Sequence, residues 1–90
     1  MPYRIELTHR AQRDFRKLPK QAQAQVATAI DALENDPRGR GVKRLAAKDA
    51  VYRLRSGDFR ILFRIEDEVL IVLVVAIGNR RDIYRRLQDL

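Results

Sequence analysis

The chain has 90 residues, of which 46% are apolar, and it carries a formal net charge of +7 at pH 7. This length allows one domain with a single hydrophobic core, and the absence of cysteine excludes disulfides and thiolate metal sites. The amino end lacks the apolar segment of a signal peptide, and the longest apolar run, nine residues at 69–77, is too short to span a bilayer. These features predict a cytoplasmic protein without a membrane segment.

The positive charge is concentrated in the middle of the chain. Residues 38–64 contain nine basic and two acidic side chains, a balance of +7, whereas residues 1–37 contain six basic and five acidic ones, a balance of +1. Residues 65–78 and 79–90 contribute −3 and +2. Concentrated basic charge promotes binding to polyanions, so the expected partners are nucleic acid or an acidic protein. The alternative is that these charges only form a solvated face.

The first half of the chain predicts a strand followed by a helical hairpin. Apolar and charged residues alternate at 3–7, as they do in a half-buried strand. Thr8 is suited to cap a short helix that Pro19 ends, and a second helix with one apolar face runs from about residue 20 to residue 34. A loop rich in turn-forming residues follows at 35–41.

The second half predicts three strands. Residues 51–55 and 58–65 form a hairpin around a two-residue turn at 56–57, where a glycine tolerates a positive φ. The acidic triplet at 66–68 turns the chain into a third strand at 69–77. Because this strand is apolar at every position, we expect it to be buried on both faces and central in the sheet.

A final amphipathic helix is indicated by Ile83, Leu87 and Leu90, which follow one another at helical spacing. Val42 and Leu45 are expected to contact the core where the chain crosses from the helical hairpin to the strands. The predicted order is β-α-α-β-β-β with a closing helix. The expected fold is therefore α+β, with the first strand and the helical hairpin packed on an antiparallel or mixed four-stranded sheet.

Strand alternation places the arginines of the predicted hairpin on one face. With the turn at 56–57, Arg53 pairs with Arg60 across the two strands. The core face then carries Leu54, Phe59, Ile61, Phe63 and Ile65, and the opposite face carries Arg53, Arg55, Asp58, Arg60 and Arg64, with Leu62 as its one apolar member. Directly opposed like charges destabilise a sheet, so the Arg53–Arg60 pair indicates a ligand that supplies negative charge. The alternative is an exposed arginine face on which Asp58 partly neutralises Arg55.

A second basic group follows the third strand and includes Arg80, Arg81 and Tyr84. An arginine fork matches phosphate oxygens, and a tyrosine ring can stack on an unpaired base. His9 is the only histidine and is expected at the surface, so neither a Ser/His/Asp nor a Cys/His set can be assembled. Any catalysis would therefore use arginine, lysine and tyrosine.

Two segments of the chain resemble the RelE/ParE toxin superfamily, namely YRLRSGDFRILF at 52–63 and GNRRDIYRRL at 78–87. The resemblance extends over essentially the whole chain, and the terminal arginine-x-x-x-tyrosine is similar to the RelE-like branch. It implies one RelE-like toxin domain over residues 1–90, acting as the toxin of a type II toxin–antitoxin pair. Such a toxin would inhibit translation by cutting messenger RNA in the ribosomal A site, through attack of the 2′-hydroxyl on the adjacent phosphate, without metal or cofactor.

The resemblance also implies roles for the predicted catalytic residues. Arg60 would stabilise the charge that builds on the scissile phosphate, Arg80 would assist the leaving 5′ oxygen, and Tyr84 would stack on the target nucleotide. Arg53 and Arg55 match positions where well-known members carry lysine. Because arginine is effectively always protonated, neither residue can take the role of general base, and the proton acceptor is left open.

The remaining expectations concern binding and partners. The basic residues expected to bind RNA outside the catalytic set are Lys43, Arg44, Lys48, Arg64 and Arg81. The implied partners are the ribosome with its messenger RNA and an acidic antitoxin that forms a hetero-oligomer with the toxin. Two alternatives stay open, a ParE-like inhibitor of DNA gyrase and a degenerate member that only binds its antitoxin.

Overall fold

The computed structural model describes residues 2–45 and 50–87, which fold into one sheet with helices on both of its faces. In chain order the elements are β1 (Arg4–Leu7), α1 (His9–Arg16), α2 (Lys20–Ala32), β2 (Val42–Arg44), β3 (Tyr52–Ser56), β4 (Phe59–Glu66), a 3₁₀ turn (Asp67–Val69), β5 (Ile71–Asn79) and α3 (Ile83–Leu87). The strand order is β1-β5-β4-β3-β2, with β1 parallel to β5 and all other neighbours antiparallel. No helix in the described ranges is long and apolar enough to cross a membrane.

The sheet has five strands instead of the four predicted. The additional strand is β2, in which Val42 and Lys43 pair with Leu54 and Arg53 of β3. With three residues, two of them exposed and charged, β2 is too short for alternation to indicate a strand. The predicted α+β class is confirmed, and β5 is central as expected because it lies between β1 and β4.

The helical hairpin forms as the sequence predicts. The Thr8 side chain accepts a hydrogen bond of 3.1 Å from the backbone N–H of Ala11 and so caps α1. α1 and α2 pack on one face of the sheet and form the larger core. The buried members of this core are Ala11, Val26, Ile30, Leu33, Leu54, Ile61, Phe63, Val72, Val74 and Ile77. The predicted core face of the hairpin is confirmed, because Phe59 and Ile65 also pack against this cluster.

A β-bulge interrupts the long central strand. Leu62 of β4 pairs with Ala76, and the next residue, Phe63, pairs with Val74, so Val75 has no partner on β4. A bulge places two residues of one strand opposite one residue of its neighbour and changes the phase of the alternation. Val75 and Ala76 consequently both pack on the face that is turned away from α1 and α2.

A second, smaller core lies on that face beneath α3. Leu62, predicted as an isolated apolar residue among arginines, is fully buried there together with Ile83 of α3. The other buried members are Val51, Val75 and Ala76. The predicted closing helix is therefore present and packs on this second core through Ile83. Leu90 and the side chain of Leu87 lie outside the described part of the chain.

α1 covers the edge of β5 beyond the end of β1. The last residue of β1, Leu7, pairs with Val74, and the backbone N–H of Thr8 donates to the Val74 carbonyl at 3.0 Å. Further along both elements, the buried carboxylate of Asp14 accepts a hydrogen bond of 3.0 Å from the N–H of Ile77. α1 therefore runs alongside β5 in the same direction.

The loop after α2 is fastened to the β4–β5 turn by an exposed ion pair. Arg38 donates to both carboxylate oxygens of Asp67, at 3.0 and 2.8 Å, and the Tyr3 hydroxyl donates to the same group at 2.6 Å. These two donors, Arg38 first, lower the pKa of Asp67 to about 2. The Arg38 guanidinium also lies 5.6 Å from the centre of the Tyr52 ring, so four separate segments meet at this point.

Candidate active site

The hairpin of β3 and β4 carries its arginines on the face opposite α1 and α2, but its register differs from the predicted one. Arg53 lies opposite Leu62, and Arg55 lies opposite Arg60. The predicted Arg53–Arg60 pair is therefore wrong, although two arginines do face each other across the strands. Arg60 is buried, with 7% of its surface exposed, whereas Arg55 is exposed to solvent. Of the two, Arg60 is therefore the cation that needs a compensating anion.

The error in register arises at the turn. Ser56 pairs with Phe59, so the loop consists of Gly57 and Asp58 instead of Ser56 and Gly57. Gly57 has a φ of +58°, which L-residues rarely adopt, and a Cβ there would lie 2.9 Å from the side-chain nitrogen of Gln25 in α2. Moving a two-residue loop by one position shifts the pairing by two residues. Because side chains alternate with period two, every residue keeps its predicted face.

Arg60 is a buried cation whose orientation is set by the hairpin itself. Its Nη1 donates to the carbonyls of Gly57 and Phe59, both at 2.9 Å. Across residues 2–45 and 50–87 no carboxylate pairs with it, and its buried Nε has no hydrogen-bond partner there. Unpartnered buried donors are rare in native proteins and call for a functional explanation. Arg60 thus presents a preoriented positive charge that the described protein groups do not neutralise.

Arg53 connects this hairpin to α3. Its Nη1 donates a hydrogen bond of 3.0 Å to the hydroxyl of Tyr84, whose side chain is 42% exposed. This hydrogen bond lowers the pKa of Tyr84, and the charges of Arg53 and Arg60 act in the same direction while burial opposes them. Arg53, Arg60 and Tyr84, contributed by β3, β4 and α3, therefore converge on one face of the sheet.

The position of Tyr84 depends on the turn that leads into α3 and on the residue before it. The side-chain oxygen of Asn79 accepts hydrogen bonds from the backbone N–H groups of Arg81 and Asp82, at 3.0 and 2.9 Å, and so directs the chain out of β5. Ile83 is fully buried in the second core. The spacing of Ile83 from the following leucines indicates an amphipathic helix. The sequence does not show that Ile83 is the residue that anchors α3 to the sheet.

Arg80 and Arg81 lie at the edge of this site, around a hollow of about 300 Å³ that Asp58 and Asn79 complete. The backbone N–H of Arg80 donates to the Asp58 carbonyl at 2.9 Å, which ties the end of β5 to the hairpin turn. Both arginine side chains are exposed. Because Phe59 pairs with Asn79, the hollow adjoins the strand position next to Arg60.

The other predicted residues are distributed over both faces. Lys43 pairs with Arg53, and Arg64 pairs with Leu73, so both lie on the face of the candidate site. Arg44 pairs with Tyr52 and therefore lies on the face of α1 and α2. Lys48 falls outside the described residues. Within the predicted set, a hydrogen bond of 3.0 Å joins Arg53 to Tyr84, and Arg60 lies close enough to Tyr84 to act on its pKa.

The chain is similar to known toxins over nearly its full length. A family model described as the ParE toxin of type II toxin–antitoxin system, parDE, matches residues 5–84. Toxin RelG from Mycobacterium tuberculosis is 37% identical over 89 residues, which cover 96% of this chain and 100% of that protein. The mRNA interferase toxin RelE of Escherichia coli strain K12 is 27% identical over 81 residues, which cover 89% of this chain and 85% of that protein.

A solved structure gives the same result at the level of the fold. A chain in the toxin–antitoxin complex RelBE2 from Mycobacterium tuberculosis matches with a TM-score of 0.80 and 33% identity, covering 89% of this chain and 100% of that one. The span matched by the family model, residues 5–84, includes Arg53, Arg60 and Tyr84.

Proposed function

Because the chain belongs to the ParE toxin family of type II toxin–antitoxin systems, on the RelE-like branch of the RelE/ParE superfamily, we propose that it is a toxin that cleaves messenger RNA on the ribosome. The observation that carries the proposal is the 3.0 Å hydrogen bond from Arg53 to the Tyr84 hydroxyl beside the buried guanidinium of Arg60. A phosphodiester bound at this face meets two oriented cations and one ionisable hydroxyl.

The two arginines would stabilise the transition state electrostatically. Attack of a ribose 2′-hydroxyl on the adjacent phosphate builds negative charge on the non-bridging oxygens, and a guanidinium can donate to two such oxygens at once. Arg60 is already held by two backbone carbonyls, so its charge requires little reorganisation when the reaction occurs. Arg53, half-buried on the neighbouring strand, would contribute in the same way.

Tyr84 is our candidate for the proton acceptor that the arginines cannot provide. Its pKa is lowered by the hydrogen bond from Arg53, which favours the phenolate. The phenolate would take the 2′-hydroxyl proton as the bond from the 2′ oxygen to phosphorus forms and the bond from phosphorus to the 5′ oxygen breaks. The products would be a 2′,3′-cyclic phosphate and, after protonation by solvent, a 5′-hydroxyl. Arg80, exposed beside the hollow, would stabilise the departing 5′ oxygen.

An antitoxin is the protein partner of this toxin, in keeping with the toxin–antitoxin complex found among the similar structures. We propose that the antitoxin segment is acidic, because the candidate site presents Arg53, Arg55 and Arg60 on one face. Opposite charges steer association and reject wrong partners. Such a segment would form a hetero-oligomer with the toxin and deny messenger RNA access to Tyr84.

Primer extension on a reporter messenger RNA in a translation extract tests this function. Wild-type protein should produce breaks at codons in the ribosomal A site, and the Arg60→Ala variant should produce none. The same RNA without ribosomes is the control and should remain intact. If the reporter stays uncut in translating extract with wild-type protein, the proposed function is wrong.

Inhibition of DNA gyrase is the second candidate, and the match to the ParE family model favours it. A gyrase inhibitor would abolish supercoiling of relaxed plasmid while leaving messenger RNA uncut. The convergence of Arg53, Arg60 and Tyr84 instead supports chemistry on a phosphodiester. A protein that shows neither activity but still binds its antitoxin would be a degenerate member of the family.

A further inference from the structure

A second basic surface lies on the last turn of α1 and on the turn into α2, separate from the candidate active site. Arg13, Arg16, Lys17 and Lys20 are all exposed, and none of them takes part in an ion pair with the described residues. We call these four residues the α1 basic surface. The one carboxylate within residues 9–20, Asp14, is buried and bonds to the backbone of β5, so it is directed away from this surface.

Local helix chemistry accounts for only part of this concentration of charge. Basic side chains often bind the free carbonyls at the carboxyl end of a helix. Here the Gln23 side chain donates to the carbonyls of Phe15, Arg16 and Leu18 at 3.2, 3.3 and 3.1 Å. Like charges four residues apart, such as Arg13 and Lys17, destabilise a helix. The helix dipole favours Arg13 and Arg16 in the last turn of α1, but it does not pair their charges, and none of the four side chains forms an ion pair with the described residues.

The α1 basic surface lies near the end of the sheet at which the Arg80–Arg81 hollow is found. α1 runs alongside β5 in the same direction, as the contacts of Thr8 with Val74 and of Asp14 with Ile77 show. Beyond Asp14, Lys17 lies about 4.5 Å further along the helix axis, at about 1.5 Å per residue. Beyond Ile77, the strand leads to Asn79 and then to the hollow. Basic side chains from α1 and from the end of β5 thus border the same end of the molecule.

We propose that the α1 basic surface binds the phosphate backbone of RNA outside the cleaved dinucleotide and does not read base sequence. The inference rests on the proposed function, because it assigns a docking surface to the same reaction. Lysine and arginine contacts to phosphate position a nucleic acid, whereas stacking on bases requires exposed aromatic rings. Phe15 of α1 packs against the larger core, and His9 lies at the amino end of the helix, away from the α1 basic surface. In this assignment the phosphates belong to nucleotides of the messenger RNA that flank the cleavage site, because the α1 basic surface borders the same end of the molecule as the Arg80–Arg81 hollow.

The salt dependence of RNA affinity provides the test. The R13Q/R16Q/K17Q variant removes three charges from the α1 basic surface and lowers the net charge from +7 to +4. The matched control is A24E/T28E/N35D, which reaches the same net charge through three exposed positions on α2 and its following loop. Two probes separate the possible sources of phosphate. One is a short single-stranded RNA with 2′-O-methyl riboses, which cannot be cleaved, and the other is the small ribosomal subunit without messenger RNA.

The slope of log K against log salt should decrease in magnitude by about 2 to 3 for the variant and should keep its wild-type value for the control, since each phosphate contact contributes about 0.7 to 0.9. A decrease with the short RNA supports this assignment, whereas a decrease with the ribosomal subunit but not with the short RNA would overturn it in favour of ribosomal RNA. Unchanged slopes with both probes, or equal losses in variant and control, would overturn the inference. Loss of antitoxin affinity alone would overturn it in favour of a protein interface.

Two features keep this test independent of folding and of catalysis. If the triple variant does not fold, the K17Q/K20Q variant replaces it in the test, because Lys17 and Lys20 lie at the turn between α1 and α2. The slope of log K against log salt for this variant should decrease in magnitude by about 1 to 2, since it removes two phosphate contacts. The binding measurements involve no cleavage step. Wild-type protein that fails to cut messenger RNA but shows the expected slopes would contradict the proposed function while supporting this surface.

Discussion

The Arg53 guanidinium donates a 3.0 Å hydrogen bond to the Tyr84 hydroxyl, although the two residues lie 31 positions apart in the chain. The bond joins the basic hairpin to the last described helix and gives the site its one ionisable group with a lowered pKa. Because arginine is effectively always protonated, we propose that Arg53 acts on the reaction through Tyr84 and does not itself accept a proton. This relationship makes the hydroxyl, and not only the ring, the feature to test.

Replacing Tyr84 with phenylalanine should separate its two proposed roles. The ring remains available for stacking, so affinity for an uncleavable RNA on the ribosome should change little. Cleavage should slow by about 10² to 10⁴, the usual contribution of a general acid or base. Single-turnover cleavage measures the rate, and Tyr84→Ala serves as the comparison that should lose affinity as well. A Tyr84→Phe variant that cleaves at the wild-type rate would exclude the phenolate as proton acceptor.

The pKa of Tyr84 should rise when Arg53 is replaced by glutamine. In the wild-type protein the Arg53 hydrogen bond holds this pKa below the ordinary value of 10.0, so the phenolate forms at lower pH. Without the cation, a smaller fraction of Tyr84 is phenolate at a given pH, so the limb on which the cleavage rate rises with pH moves to higher pH. Ultraviolet titration of tyrosinate, with Tyr84→Phe subtracted to remove Tyr3 and Tyr52, measures the shift. An identical titration in both proteins would show that Arg53 does not control Tyr84.

Truncating Ile83 to alanine should displace α3 and with it Tyr84. Ile83 is fully buried against Leu62 and its neighbours, and removing a buried side chain of this size costs about 2–5 kcal/mol, or less if the short helix simply detaches. We expect lower stability in urea unfolding together with a loss of cleavage that added RNA does not restore. Val69→Ala is the control, because Val69 is 63% exposed and should tolerate truncation. Full activity in the Ile83→Ala variant would mean that Tyr84 is positioned by other contacts.

The hairpin shows why the face of a side chain can be predicted more safely than its partner. Two-residue loops at Ser56-Gly57 and at Gly57-Asp58 differ in where they place the glycine. The structure has the second, in which Gly57 takes a positive φ at the first loop position, as in a type II′ turn, and the Gln25 side chain of α2 lies next to it. The strand partner of each arginine depends on this choice of loop, whereas the assignment of the arginines to one face follows from the period of the strand and does not.

In the central strand, by contrast, burial is easy to predict from the apolar sequence but the β-bulge is not. Residues 71–77 are apolar throughout, so the sequence predicts burial but contains no alternation that would reveal a change of phase. That change occurs at the bulge at Val75. It brings both Val75 and Ala76 into the second core, where they pack with Leu62 and Ile83. The buried contact of Asp14 with Ile77 is equally hidden, because a single carboxylate on a basic helix looks solvent-exposed in sequence.

The Arg38–Asp67 ion pair should stabilise the fold in a manner that depends on pH. Asp67 has a pKa of about 2 in the folded protein against an ordinary value of 3.8, so its contribution is fully present above the ordinary value and disappears as pH falls through about 2. Asp67→Asn should therefore unfold at lower urea concentration than wild type at neutral pH, and the difference between the two proteins should narrow between pH 4 and pH 2. The effect should be small, because both side chains are about half exposed. Arg38→Gln should reproduce part of it, because Asp67 then still accepts from Tyr3, and the loss of stability in the double variant should be smaller than the sum of the two single losses, since both changes remove the Arg38–Asp67 pair. A difference between wild type and Asp67→Asn that is constant across this pH range would show that the carboxylate does not stabilise the fold through its charge.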